Sequence, residues 1–308
     1  MASDDSLSNR LLFAVPKKGR LHEKCTQILS DADIQFHRSH RLDVCFVENH
    51  PIALVFLPAA DIPRFVGEGN VDLGITGQDM VAEADVTGLV EEICSLEFGK
   101  CRLQIQVPLN SDVKTIEQLS GKKVVTSFEV ISQSFFKELD QKLAKENPQL
   151  DPPKTKIEYI SGSVEAACAL GLADGIVDLV ESGATMRAAG LHAIHTIMSS
   201  EAVLIQSTRP PRGEVQRKLA NLITRRIQGV VAAHRYALCG YNIKRLHLSQ
   251  ALAITPGKRS ATVSPLDEHD WVAVSAMVLK KESADVMDEL QTLGACDILL
   301  VDLANCRV

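Results

Sequence analysis

The stretch from Glu165 to Gly190, E-A-A-C-A-L-G-L-A-D-G-I-V-D-L-V-E-S-G-A-T-M-R-A-A-G, constrains this chain more than any other. An apolar run with strand character, residues 175–180, stops at Glu181-Ser182-Gly183-Ala184-Thr185, and Met186 onward reads as a helix. Such a strand, loop and helix start compose an anion site. The first N–H groups of a helix lack intrahelical partners and point at the loop. Gly183 permits close approach of the backbone, and Ser182 and Thr185 add side-chain donors. Asp178, toward the end of the strand, is placed to accept hydrogen bonds from hydroxyls beside a bound anion. An ordinary strand-to-helix turn capped by Ser182 or Thr185 carries the same local pattern.

Two further junctions of this type precede it. Residues 11–15 form a continuous apolar run, hence a buried strand. The run breaks at P-K-K-G-R-L (16–21), and a helix follows with Cys25, Ile28, Leu29 and Ala32 on one face. A basic loop at a strand end lies where open α/β sheets bind ligands, although a solvated loop has the same composition. Residues 42–47 and 52–57 read as a hairpin turning at 48–51, and 59–67 as a helix closed by glycine. Residues 71–77 are a strand running into a turn, with a helix opening at Gln78; this is a second candidate anion site or a bare tight turn. Neither a dinucleotide-type glycine fingerprint nor a G-x-x-x-x-G-K-[ST] loop is present, so a nucleotide bound here is not held by a P-loop.

A second lobe is expected to begin near 96–102. Its elements are a strand over 102–107 with period-2 alternation, a strand at 124–126 and a helix over 130–146 burying Ile131, Phe135, Leu139 and Leu143. A loop at 147–154 leads to a strand at 155–160. Ser161-Gly162-Ser163 then caps a helix from Val164, in whose first turn Glu165 interacts favourably with the helix dipole. Strands at 191–197 and 202–206 are expected to return to the first lobe, and S-T-R-P-P-R-G (207–213) is the best linker signal. A long helix over 214–231 precedes a strand–helix–strand–strand–helix–strand order through 236–301, the ferredoxin-like unit. That last region holds no paired carboxylates, no Cys/His ligand set and no nucleophile–base pair in its sequence, which suits regulation better than catalysis.

Composition narrows the function. A net charge of −6 argues against non-specific nucleic-acid binding, and no apolar run approaches the ~20 residues of a membrane helix. The eight cysteines include no C-x-x-C pair, the pattern of free thiols in a reducing compartment, and the N-terminus is polar and acidic; together they point to the cytoplasm. His37/His40 and His192/His195 have ligand-like spacing but no acidic or cysteine partner nearby in sequence.

Glu165, Gly171, Ala173, Ile176, Asp178, Leu179, Ser182, Gly183, Thr185 and Met186 match the signature of the ATP phosphoribosyltransferases without a departure. The chain resembles the long form of that family over essentially its whole length, including P-K-K-G-R-L, D-L-G-I-T-G (72–77), T-P-G-K-R (255–259) and D-W-V-A-V (270–274). The resemblance implies a two-lobed α/β catalytic half of periplasmic-binding-protein type plus a C-terminal ferredoxin-like α+β regulatory domain. The lobes would be 1–98 with 191–228 and 99–190, and the regulatory domain 229–308. It implies transfer of phosphoribose from phosphoribosyl pyrophosphate (PRPP) to N1 of ATP, opening histidine biosynthesis, with Mg²⁺ held mainly by the substrate pyrophosphate and no protein ligand assigned. Asp178, Glu181, Ser182, Gly183, Ala184 and Thr185 would hold PRPP, and Lys18, Arg20, Arg41, Asp72, Thr76 and Glu165 would line the substrate cleft. L-histidine would inhibit through the C-terminal domain, near Tyr241, Asn242 and Ser275, and the assembly would be a homohexamer built from dimers. Two other readings fit the residues: a cytoplasmic two-lobed sensor of a small anion, and a phosphoribosyltransferase with another acceptor.

Overall fold

The computed structural model describes residues 7–38, 42–146, 154–210 and 213–307. The chain divides into two compact units, Met1–Cys25 with Phe36–Ala220, and Thr26–Gln35 with Asn221–Val308.

The first unit contains two sheets. Strand β1 (Leu11–Pro16) leads into helix α1 (His22–Asp31), and β2 (Val44–Phe46) and β3 (Ile52–Leu57) form the expected hairpin. Helix α2 (Ile62–Gly67), β4 (Leu73–Gly77), α3 (Gln78–Glu83) and β5 (Val90–Ser95) complete the first pass. The chain crosses to a second sheet with β6 (Cys101–Pro108), β7 (Lys123–Thr126), α4 (Glu129–Glu146), β8 (Lys156–Tyr159), α5 (Ala166–Ala169), β9 (Gly175–Val180), α6 (Ala184–Ala188) and β10 (Leu191–Ser200). It returns with β11 (Ala202–Ser207) and leaves along α7 (Glu214–Arg235). The first sheet has the order β2-β3-β1-β4-β11-β5 and the second β10-β6-β9-β7-β8. β1 lies parallel to β3 and β4, and β7 parallel to β8 and β9. Central parallel strands are covered on both faces, which is why every residue of β1 and β4 is buried and why their sequences are continuous apolar runs.

Four expectations are corrected here. β10 pairs antiparallel with β6, so residues 191–200 belong to the second sheet and the chain returns only at Ala202. β6 is a central strand of its sheet, and its burial does not alternate; Gln104 and Gln106 are buried and donate to Thr196 Oγ1 and the Asp178 carbonyl. On α4 the buried residues are Ser132, Phe136 and Leu139, with Ile131, Phe135 and Leu143 flanking, because steps of four residues drift around a helix of 3.6 residues per turn. β5 went unread because Glu91 and Glu92 sit in its middle; it is an edge strand, where charge is tolerated and discourages further pairing.

In the second unit, β12 (Tyr236–Lys244), α8 (Leu248–Ile254), β13 (Thr262–Pro265), β14 (Trp271–Leu279), α9 (Ser283–Thr292) and β15 (Cys296–Asp302) form an antiparallel sheet of order β13-β14-β12-β15. That is the ferredoxin-like arrangement. Burial alternates along β12 and β14, with Cys239, Tyr241, Ile243, Val272, Val274 and Val278 packed with Leu290 of α9.

Candidate functional site

β7 and β9 are parallel, so their carboxyl ends lie on one rim; β6 starts and β10 ends on that same rim. In the first sheet β1 and β4 likewise end together, beside the start of β11. The segments between the sheets, 96–100 and residue 201, therefore join these rims, the place where open α/β sheets bind ligands. The loop after β9 carries the S-G-A-T motif. Gly183 is left-handed at φ 75° and buried, Ser182 and Thr185 are exposed, and Ser182 Oγ accepts the Ala184 N–H at 3.3 Å. Arg187 N donates to Gly183 O as the first helical bond, so the amides of Thr185 and Met186 precede the helical ladder and face out of its end. α6 has five residues, so its dipole is small; what the loop offers an anion is its backbone N–H groups and two hydroxyls.

Asp178 is mostly buried, and its Oδ1 accepts the Leu179 N–H at 2.8 Å. Burial pushes its carboxyl above the usual aspartate range; the Leu179 bond works against that, and the charge of Glu165 adds to it. Glu165 stands at the start of α5, near enough for its charge to act on Asp178. That helix is a single turn with no side-chain cap bond, so neither a dipole nor a serine cap operates as expected.

Arg20 ties these parts together. Its guanidinium donates to the Gly99 carbonyl, lies 3.6 Å from Asp79 Oδ1 and 3.6 Å from Glu181 Oε1, and so spans the first sheet, the crossing segment and the phosphate-type loop. Gly99 takes φ 65°, and Leu21 packs where a side chain would stand, which leaves little choice but glycine. Asp79 is fully buried, bonded through Oδ1 to Ser200 Oγ, with Oδ2 lacking a hydrogen-bond partner among the described residues. Beside this cluster is a cavity of about 380 Å³ lined by Gln78, Lys100, Arg102, Glu181, Ser199 and Glu201 among others. Asp79, Lys100, Arg102, Ser200 and Glu201 escaped sequence reading. F-G-K-C-R marked the crossing, and a basic pair flanking a cysteine there is the signal that could have found two of them.

Of the other expected site residues, Lys18 and Thr76 stand at the carboxyl ends of β1 and β4, and Asp72 does not. Asp72 precedes β4, about 15 Å of strand from Gly77, and its Oδ2 accepts the Leu12 N–H at 2.7 Å. It belongs to the opposite rim, because D-L-G-I-T-G runs the full length of a strand. Thr76 is fully buried and donates to the Ala59 carbonyl at 2.8 Å, fastening the loop before α2. Lys18 is exposed on the loop after β1, where its neighbour Lys17 pairs with Asp43 at 2.6 Å. Arg41 lies outside the described residues, as does His40. Among the described residues no group of three His, Cys, Asp or Glu side chains converges.

In the second unit the three residues expected to hold histidine are split. Tyr241 is buried with the helix-facing residues, and its hydroxyl is 2.6 Å from Thr255 Oγ1. Asn242 and Ser275, the latter opposite Gly240, occupy the other face of the sheet, where Asn242 Nδ2 donates to Asp297 Oδ2 at 2.8 Å.

A family model described as ATP phosphoribosyltransferase (HisG) matches residues 58–229, and one described as HisG, C-terminal domain, matches 233–305. Curated proteins named ATP phosphoribosyltransferase from Candida albicans and Schizosaccharomyces pombe are 54% and 52% identical, and one from Saccharomyces cerevisiae is 50% identical, each over 98% of both chains. Among solved structures, the ATP phosphoribosyl transferase (HisG:HisZ) complex from Thermotoga maritima aligns with TM-score 0.56 at 24% identity, over 71% of this chain and 96% of that chain, a likeness of fold.

Proposed function

The chain belongs to the ATP phosphoribosyltransferase family, and we propose that it transfers the phosphoribosyl group of PRPP to N1 of ATP, releasing pyrophosphate, at the loop that follows β9. The carrying observation is that loop: left-handed Gly183, free-facing amides at Thr185 and Met186 and two exposed hydroxyls, on the rim where both sheets meet.

Displacement at an anomeric carbon proceeds through an oxocarbenium-like transition state while negative charge gathers on the leaving pyrophosphate. Such chemistry is accelerated by positioning and by donors aimed at the developing charge. The backbone of 183–186 with Ser182 and Thr185 grips the 5′-phosphate, and Asp178 and Glu165 face the ribose hydroxyls. Arg20 is shared by Asp79 and Glu181; a phosphoryl group entering beside it offers a stronger, bidentate partner. Lys100 and Arg102 give the adjoining cavity the positive charge that suits a polyphosphate, and exposed Lys18 stands on the loop after β1. The cavity also carries hard oxygen donors in Glu181, Ser199 and Glu201; Glu201 Oε2 faces Lys100 at 3.9 Å and Glu181 faces Arg20 at 3.6 Å, so Mg²⁺ would arrive held by the pyrophosphate, with these oxygens available at its edge. When bound, Mg²⁺ neutralises charge on the leaving group.

The same reading makes the ferredoxin-like unit the receptor for L-histidine, with Asn242 and Ser275 on the face away from its helices, and the assembly a homohexamer built from dimers. Eight free thiols and net charge −6 suit a cytoplasmic enzyme that binds neither membrane nor nucleic acid. Pyrophosphate release from PRPP, measured with ATP, GTP, UTP or no acceptor, with and without L-histidine, tests it. Release that requires ATP and is suppressed by histidine is expected. Release with another acceptor alone, or none from protein that binds PRPP, would overturn the acceptor or the enzymatic reading respectively.

A further inference from the structure

Helix α3 belongs by chain order to the first sheet, between β4 and β5, yet three of its six residues engage the second. Asp79 bonds Ser200 at the end of β10, Met80 packs against the core around Leu103 and Phe136, and Glu83 reaches α4. The last contact is specific. Glu83 Oε1 accepts the Val130 N–H at 3.0 Å and Oε2 accepts the Ile131 N–H at 3.1 Å. These are the second and third amides of an 18-residue helix, so a carboxylate from one lobe caps the helix of the other with both oxygens. α4 follows β7, which is parallel to β9, so the capped end lies on the rim that also carries the S-G-A-T loop.

We infer that Glu83 is a positioning residue for the transfer reaction: it latches the second lobe to the first in the arrangement that brings the S-G-A-T loop over the Arg20 cluster. The inference rests on the function proposed above. The chemistry of the contact suits a reversible latch. Apolar interfaces resist opening through the area they would expose, whereas a carboxylate on orphan helix amides exchanges its partners for water when the lobes part. Glu83 touches neither the loop nor Arg20, so it acts through the proportion of molecules whose lobes are together. Apparent affinity scales with that proportion, equally for every ligand that needs the closed arrangement. Loss of the latch therefore raises the Kd for PRPP and the Kd for ATP, each measured without the other substrate, by one common factor; saturation with either substrate closes the lobes and restores affinity for the other, and turnover of the assembled complex is unchanged. A residue that contacts a single substrate, or one that merely stabilises the fold, does not produce that pairing.

The test compares wild type with Glu83→Ala and Glu83→Gln in the full chain. Expected is a rise of about three- to tenfold in both dissociation constants, each measured with the other substrate absent, for Glu83→Ala, a smaller equal rise for Glu83→Gln, which keeps one acceptor, and an unchanged kcat. Hydrogen exchange at Val130 and Ile131 should quicken in the free variants and slow again when PRPP is added. Unchanged dissociation constants, a rise for one substrate only, a fall in kcat, or undisturbed exchange at 130–131 would overturn the inference. Should Glu83→Ala fail to fold, Glu83→Gln carries the comparison. If wild type transfers no phosphoribose, the proposed function fails by itself, and the exchange measurement with PRPP still decides the role of Glu83.

Discussion

Replacing Gly183 by alanine tests whether the loop after β9 is built around one backbone conformation. The residue sits at φ 75°, in the left-handed region that costs an L-residue roughly 1–2 kcal/mol. A Cβ there would stand 2.8 Å from Arg187 Nη1, the far end of an exposed, flexible side chain. Arg187 can swing away, forfeiting its Nη2 bond to the Ser182 carbonyl at 3.2 Å, an exposed contact worth about 0.5 kcal/mol. Stiffening of the unfolded chain by alanine returns about 0.4–1 kcal/mol. The net is on the order of 1 kcal/mol, concentrated in the segment that holds the 5′-phosphate. At ~1.4 kcal/mol per tenfold, the KM for PRPP should rise about three- to tenfold. Steady-state kinetics with PRPP varied at saturating ATP, beside thermal melts, gives both quantities. Gly183→Asn, whose side chain tolerates the left-handed region, should fall between wild type and alanine. An alanine variant with the wild-type KM for PRPP would refute the idea that this conformation matters to binding.

Three other substitutions separate fold from function. Asp178→Asn should melt above wild type at neutral pH while binding PRPP more weakly. A carboxyl whose folded pKa is raised favours the folded state below its unfolded value and disfavours it once ionised, so the gain should close as pH falls toward 3.8, the ordinary aspartate value. Gly74→Ala would push a Cβ to 2.7 Å from Ile62 Cγ2 and 2.9 Å from Val66 Cγ2, and urea unfolding should show a loss of ~1–3 kcal/mol from overpacking α2 on β4. Asp72→Asn should lower stability through the Leu12 amide contact but leave both KM values unchanged; a raised KM would return Asp72 to the cleft.

Continuous apolar runs disclosed β1, β3, β4 and β9, and the order of elements through 236–301 disclosed the ferredoxin-like unit, because burial on both faces and alternating burial leave direct marks on composition. The S-G-A-T loop was readable for a related reason: a left-handed residue between a strand and a helix leaves glycine little competition. Pairing partners are not written locally. The sequence of β10 is compatible with either sheet, and β6 claims it by antiparallel register from Cys101 to Pro108. Which end of a strand a motif residue occupies was equally hidden, so Asp72 and Thr76 followed the resemblance into the cleft while the structure places one on the far rim and buries the other under α2's loop. The ties that join the lobes, Glu83 to α4 and Asp79 to Ser200, span 47 and 121 positions and have no sequence signal at all.

The account stands most directly on one mixture: the 308-residue protein with Mg²⁺, ATP and PRPP, a pyrophosphatase to draw the reaction forward, and near-ultraviolet absorbance to follow N1-substituted adenine. A rise that needs both substrates, and that is lost on replacing Ser182 and Thr185 together, is the expected result. Absence of any rise from folded protein that still binds PRPP, or an undiminished rise in the double variant, would contradict it.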